Sequence, residues 1–166
     1  MSYTDRFIDT DNIIIHINTF ITSVTDNNIL ASYAGFLSVS AVTVFELAIK
    51  DIFHEFASKK NISFGNFVYK HFEKINGRIK LTNLRDEHIN AFGSKYLKRF
   101  EKSLELKENA SLAARAGSIK SSYGNLIACR HNFVHRGSPT LSINEVMNSY
   151  NLGKEVLHCL SLSMIR

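Results

Sequence analysis

Apolar residues recur along this chain at helical spacing, three and four residues apart, and nowhere in the strict alternation of a half-buried strand. That pattern predicts six helices joined by short links. The first runs from about Thr4 to Val24, with Phe7, Ile14, Ile17, Ile21 and Val24 near one face, and Asp26-Asn27-Asn28 reads as the turn after it. The second, about Ile29 to Ser58, is the longest, and between Tyr33 and Ile49 it is apolar nearly all round, which marks a central buried helix. Its polar residues Thr43, Glu46, Lys50 and His54 share one stripe, facing either water or a site.

Ser63 can cap a third helix that runs to about Asn76, with Asn76-Gly77 as its C-terminal stop. The charged stretch from Asn83 to Lys107 reads as one or two solvated helices broken near Gly93. Asn109 can cap a penultimate helix bearing Leu112, Ala116, Ile119, Tyr123, Ile127, Arg130 and Val134, with Gly137 as C-cap. The small residues Ala110, Ala113, Ala114, Gly117 and Ser118 suit close helix packing, within the domain or across a dimer. Ser142 with Glu145 forms a capping box for the last helix, whose stripe is Ile143, Val146, Tyr150, Leu157, Leu160 and Met164. A single proline, Pro139, leaves little to interrupt these helices. The expected fold is all-α, a bundle of five to six helices forming one domain over residues 1–166.

Composition adds limits rather than identity. The hydrophobic fraction of 45% suits a globular chain, and no apolar run reaches the length of a bilayer span. The run Ile13–Ile15, preceded by Asp9 and Asp11, is unlike a signal peptide, so the expected location is the cytoplasm, with no membrane partner. Two cysteines, Cys129 and Cys159, lie inside helical patterns and read as buried reduced thiols. The net charge of +5 suits an acidic partner such as RNA, and equally suits plain solvated lysines.

His54, His71 and His88 lack metal-ligand spacing and read as surface or satisfied histidines. Glycine-rich phosphate loops and nucleophile elbows are absent, so neither a metal nor another cofactor is expected.

The chemistry concentrates in Arg130-His131-Asn132-Phe133-Val134-His135. Arg130 falls within an apolar stripe, where an unpaired guanidinium costs several kcal/mol. It must either pair with an anion, for which Glu46 is a plausible partner, or face a cleft that admits a phosphate. His135 lies in the last helical turn, where the helix dipole also favours a cation. An Arg-x4-His spacing arises often enough by chance to be weak alone.

Its setting carries more: the pair ends a penultimate helix, a glycine follows two residues after the histidine, and an amphipathic last helix closes the domain. In this the chain resembles the HEPN superfamily, whose motif is Arg-x4-6-His with a polar residue after the arginine, here His131. The segment Val39-Ser40-Ala41-Val42-Thr43-Val44-Phe45-Glu46 is similar to the RiboL-PSP subgroup, in which an acidic residue occurs in such an early helix. The resemblance spans about Ile29 to Leu160, and its sharp part is Cys129 to Gly137.

The resemblance implies a helical bundle that often dimerises with two Arg/His motifs facing one cleft, and in many members a ribonuclease that needs no metal. Arg130 and His135 would be the catalytic pair, with Glu46, His131 and Asn132 in support. An antitoxin or regulatory protein would be a further partner, in toxin-antitoxin or phage-defence systems. Members silenced by nucleotidyltransferases carry a tyrosine where this chain has Gly137, which puts that route in doubt. Arg136 would contact RNA backbone, or act as a solvated or C-capping arginine. Independently of the family, cleavage through the 2′-hydroxyl needs a base, an acid and positive charge on the phosphorane. Histidines and arginines from two chains supply all three. The alternative expectation is a non-catalytic HEPN-like module that binds RNA or protein.

Overall fold

The structure is a computed structural model that describes residues 2–75 and 77–165, and among them there is no strand. Six α-helices follow in order: α1 (Ile8–Phe20), α2 (Asn27–Lys60), α3 (Ile62–Phe72), α4 (Ser94–Ala113), α5 (Ile119–Arg136) and α6 (Ile143–Ile165). A π-helical segment, Asn83–Ile89, makes a seventh helix, one more than the pattern suggests, and short 3-10 turns at Tyr3–Phe7 and Ile21–Ser23 flank α1. The all-α expectation holds.

The organising element is α2, 34 residues long and therefore about 50 Å from end to end. Asp26 caps it by accepting from the amides of Asn28 and Ile29. Its apolar circumference is used on several sides. The Phe45 ring stacks on Tyr123 of α5 at 5.7 Å and on Tyr150 of α6 at 5.6 Å. One turn pair further along, Phe53 stacks on Phe72 of α3 at 4.5 Å. Tyr123 and Tyr150 are buried, and desolvation raises both phenol pKa values well above the ordinary one, so each stays a neutral donor. Tyr123 donates to the carbonyl of Ile79 at 2.6 Å. Both cysteines are buried free thiols, as expected.

Several boundaries differ from the sequence pattern. Asn61, not Ser63, caps α3, accepting from the amides of Ser63 and Phe64, and the helix stops at Phe72; the expected stop at Asn76 lies outside the described residues. Asn109 caps nothing, because α4 runs past Lys107 through it to Ala113. The chain then turns through Arg115 at φ 56°, a left-handed conformation, and Ser118 caps α5. Leu112 and Ala116 therefore do not belong to the α5 stripe, and Ala110, Ala113, Ala114 and Ala116 are exposed rather than packed within the fold. The capping box does form: Ser142 Oγ and its amide donate to Glu145, whose own amide donates back to Ser142 Oγ.

Candidate active site at the end of α5

Three contacts place the last turns of α5. Helices α2 and α5 run antiparallel, since Tyr123 lies against Phe45 while Phe133, ten residues on, lies against Gly35. A Cβ on Gly35 would come within 2.2 Å of the Phe133 ring, so this glycine in the middle of a helix is what admits the ring. Phe36 meets the same ring edge-to-face at 5.3 Å. Gly137 ends α5 in the left-handed conformation (φ 69°), donating its amide to the Phe133 carbonyl.

With about 100° of rotation per residue, Arg130 shares the core-facing stripe of Tyr123 and Ile127. The stripe is buried at Tyr123 and Ile127, half-buried at Arg130, and open at Val134, which is 49% exposed. The end of α5 thus overhangs the core and turns its apolar stripe to the surface. The Arg130 side chain makes no ion pair or hydrogen bond among the described residues. His131 and His135 are both exposed, four residues apart, with ring centroids 4.5 Å from each other. His131 lies between Arg130 and His135 around the helix, so the three form one arc of about 140°.

The other expected residues go elsewhere. Glu46 does not reach Arg130: one carboxylate oxygen takes Lys50 Nζ at 2.9 Å and the other takes the Gly77 amide at 3.0 Å. The register explains this, because Glu46 lies beside the level of Tyr123, about two turns along α2 from Arg130. Along the polar stripe of α2, Glu46 and Lys50 are thus paired, His54 lies edge-on to Tyr69, and Thr43 is exposed. Asn132 donates its side-chain amide to the Ala128 carbonyl one turn back at 2.9 Å. Arg136 is exposed and lies beyond the arc, on the opposite side from Arg130.

Beside the motif lies an apolar groove of about 510 Å³ between α1 and the first half of α2, lined by Ile13, His16, Phe20, Tyr33 and Phe36 among others. Phe36, 66% exposed, joins this groove to Phe133.

The RiboL-PSP-HEPN family model matches residues 4–165. The chain belongs to this HEPN family. The match covers α1 to α6 and the Arg130-x4-His135 motif that ends α5. Searches of curated proteins and of solved structures return no match. No helix among the described residues of this HEPN domain is long and apolar enough to cross a membrane.

Two residues that organise the site were not apparent from the motif. Gly35 seats Phe133. Glu108, on α4 and 7% exposed, takes Ser118 Oγ on one oxygen and the Lys120 amide on the other, and so closes the N-terminus of the helix that carries the motif. Its signal was present: Phe100, Leu104 and Glu108 fall at four-residue steps, which puts a carboxylate on the apolar stripe of α4.

Proposed function

We propose that this HEPN domain is an endoribonuclease that cuts RNA through its own 2′-hydroxyl, with Arg130 and His135 as the catalytic pair and a second copy of the chain supplying the facing pair. The observation that carries the reading is Arg130, a half-buried residue on a core-facing stripe whose side chain has no carboxylate on it among the described residues. An anion arriving from outside, such as a phosphate, finds this guanidinium with no competing carboxylate on it. His131 and His135 beside it provide exposed imidazoles, as a proton-transfer site requires.

In the proposed reaction an imidazole takes the proton of the 2′-hydroxyl, and the oxygen attacks the adjacent phosphorus. Arg130 holds the phosphorane oxygens bidentately. The bond from phosphorus to the 5′-oxygen breaks, and a second imidazole, protonated, gives that oxygen its proton. The products are a 2′,3′-cyclic phosphate and a 5′-hydroxyl, with no metal in the scheme. The exposed apolar surface of Phe36, Val134 and the α1–α2 groove supports a homodimer, because a second copy covering it would bring two motifs together. A role as toxin or defence effector, held in check by an antitoxin or regulatory protein, extends the same reading.

The test is incubation of the purified chain with single-stranded RNA in EDTA, with the new ends mapped. Cyclic phosphate ends are expected. Tight RNA binding without cleavage would favour a non-catalytic binding module instead.

A further inference from the structure

His131 and His135 stand four residues apart on α5, so their side chains rise from one face of the helix with Cβ atoms about 5–6 Å apart. Their ring centroids are 4.5 Å from each other. Two imidazoles that share a metal ion lie close to this separation: bonds of about 2.0–2.1 Å from one nitrogen of each ring, at an angle of about 90–110°, put the centroids about 5 Å apart. The rings are inclined at 51° rather than stacked, and both are exposed without a hydrogen bond among the described residues, so no other bond has to break for them to turn onto an ion. Two histidines one helical turn apart are a recurring way to hold zinc. The spacing that His54, His71 and His88 lack is present in this pair.

The donor set decides the class of ion. Imidazole nitrogens suit zinc, copper and nickel, whereas magnesium and calcium take oxygen ligands. No group of three or more histidines, cysteines and carboxylates with metal-binding geometry occurs among the described residues, so the remaining coordination positions fall to water or to the matching pair of a second copy. The pair lies in the last two turns of α5, where the free carbonyls of the helix end favour a cation. Arg130 and Arg136, on either side, oppose one, so the affinity rests on the two metal–nitrogen bonds rather than on the surrounding field.

We propose that His131 and His135 together chelate a divalent ion of the zinc and copper class, and that the chelated form of the motif cannot cut RNA. The ion bonds to the lone pair of one nitrogen in each ring, and the other nitrogen then carries the hydrogen and has no lone pair to offer. A ring held in this way can neither take the 2′-hydroxyl proton nor act as the protonated acid for the leaving oxygen, so one ion removes both imidazoles of the arc at once. The metal is thus an inhibitor that stands outside the reaction. Binding follows from the geometry of the pair alone; its effect on cleavage rests on the ribonuclease reading.

Titration calorimetry of the full, untagged chain with zinc chloride and copper(II) chloride, beside magnesium chloride, tests it. Saturable binding is expected below about 1 mM, tighter for copper than for zinc, with none for magnesium. One ion per chain assigns the remaining positions to water; one ion per two chains assigns them to a second copy. Electron paramagnetic resonance of the copper form should show coupling to at least two imidazole nitrogens. His131→Ala and His135→Ala, both at exposed positions, should each weaken zinc binding at least about tenfold, because each leaves a single imidazole in place of a chelating pair. Saturating zinc should stop RNA cleavage by the wild-type chain, and excess EDTA should restore it. Zinc binding by a chain that never cuts RNA in EDTA keeps the metal site and removes only the ribonuclease reading. No saturable zinc binding, wild-type zinc affinity in either variant, or undiminished cleavage at saturating zinc would overturn the proposal.

Discussion

Replacing Glu108 tests how the motif-bearing helix is held. The side chain is 7% exposed and its two oxygens take Ser118 Oγ and, at 3.0 Å, the Lys120 amide. Glu108→Ala leaves these donors at the N-terminus of α5 without their acceptor and removes a negative charge from the positive end of the helix. Hydrogen bonds to a charged group contribute about 1.5–3 kcal/mol each, and the charge–dipole interaction about 0.3–1 kcal/mol. Because the bonds share one acceptor and are not additive, the expected loss is about 2–4 kcal/mol, a large part of a typical stability of about 5–15 kcal/mol. Glu108→Gln keeps the shape and loses the charge, so about 1–2 kcal/mol is expected.

The effect should depend on pH. Burial by itself would raise the Glu108 pKa, but hydrogen bonds from Ser118 and from the Lys120 and Ile119 amides outweigh it and hold the carboxyl below its usual value. A pKa lowered by folding contributes stability that is complete above the unfolded value, near 4.3, and is lost as pH falls through the lower folded value. Urea unfolding of wild type and Glu108→Gln at pH 7 and in steps down to pH 3 should show a gap that is widest at neutral pH and narrows in acid. A Glu108→Ala variant within about 0.5 kcal/mol of wild type at pH 7, or a gap that does not change with pH, would refute the reasoning.

Three further outcomes follow from the site. Gly35→Ala puts a methyl where the Phe133 ring lies, so it should lower RNA cleavage at least about tenfold while unfolding free energy moves by only about 1 kcal/mol, the helix-propensity gain offsetting the overpacking. Phe36→Glu charges a side chain that is 66% exposed, and should leave the melting temperature unchanged while light scattering reports monomer in place of dimer and cleavage falls. Arg130→Ala removes no ion pair among the described residues, so the melting temperature should stay within a few degrees of wild type while cleavage drops about a hundredfold.

What the sequence made legible was local. The all-round apolar stretch of α2 identifies the central helix because only a helix surrounded by others tolerates it, and the Ser142–Glu145 box marks a start because its partners are three residues apart. The Arg130 motif and the Gly137 cap are contiguous and so were visible as well. Boundaries set by distant groups were not. Asn109 looks like a cap, yet the break comes after Ala113 and is fastened by Glu108, ten residues before Ser118. Glu46 has the right residue type to meet Arg130, but the antiparallel register of α2 and α5 sets the two about two turns apart, and the Gly77 amide takes its place. The seating of Phe133 on Gly35 has no periodic signal, because it joins segments far apart in the chain.

The most direct measurement of the central claim is the rate at which His135→Ala cuts single-stranded RNA in EDTA, beside wild type at equal concentration and with folding verified by melting. His135 is exposed in the last turn of α5 and holds no hydrogen bond among the described residues, so its loss should leave the fold intact. As a general acid or base it should carry about a hundredfold or more of the rate, and the cyclic phosphate products should fall in proportion. Cleavage by the folded variant at the wild-type rate would contradict the assignment of His135 and, with it, the proposed mechanism.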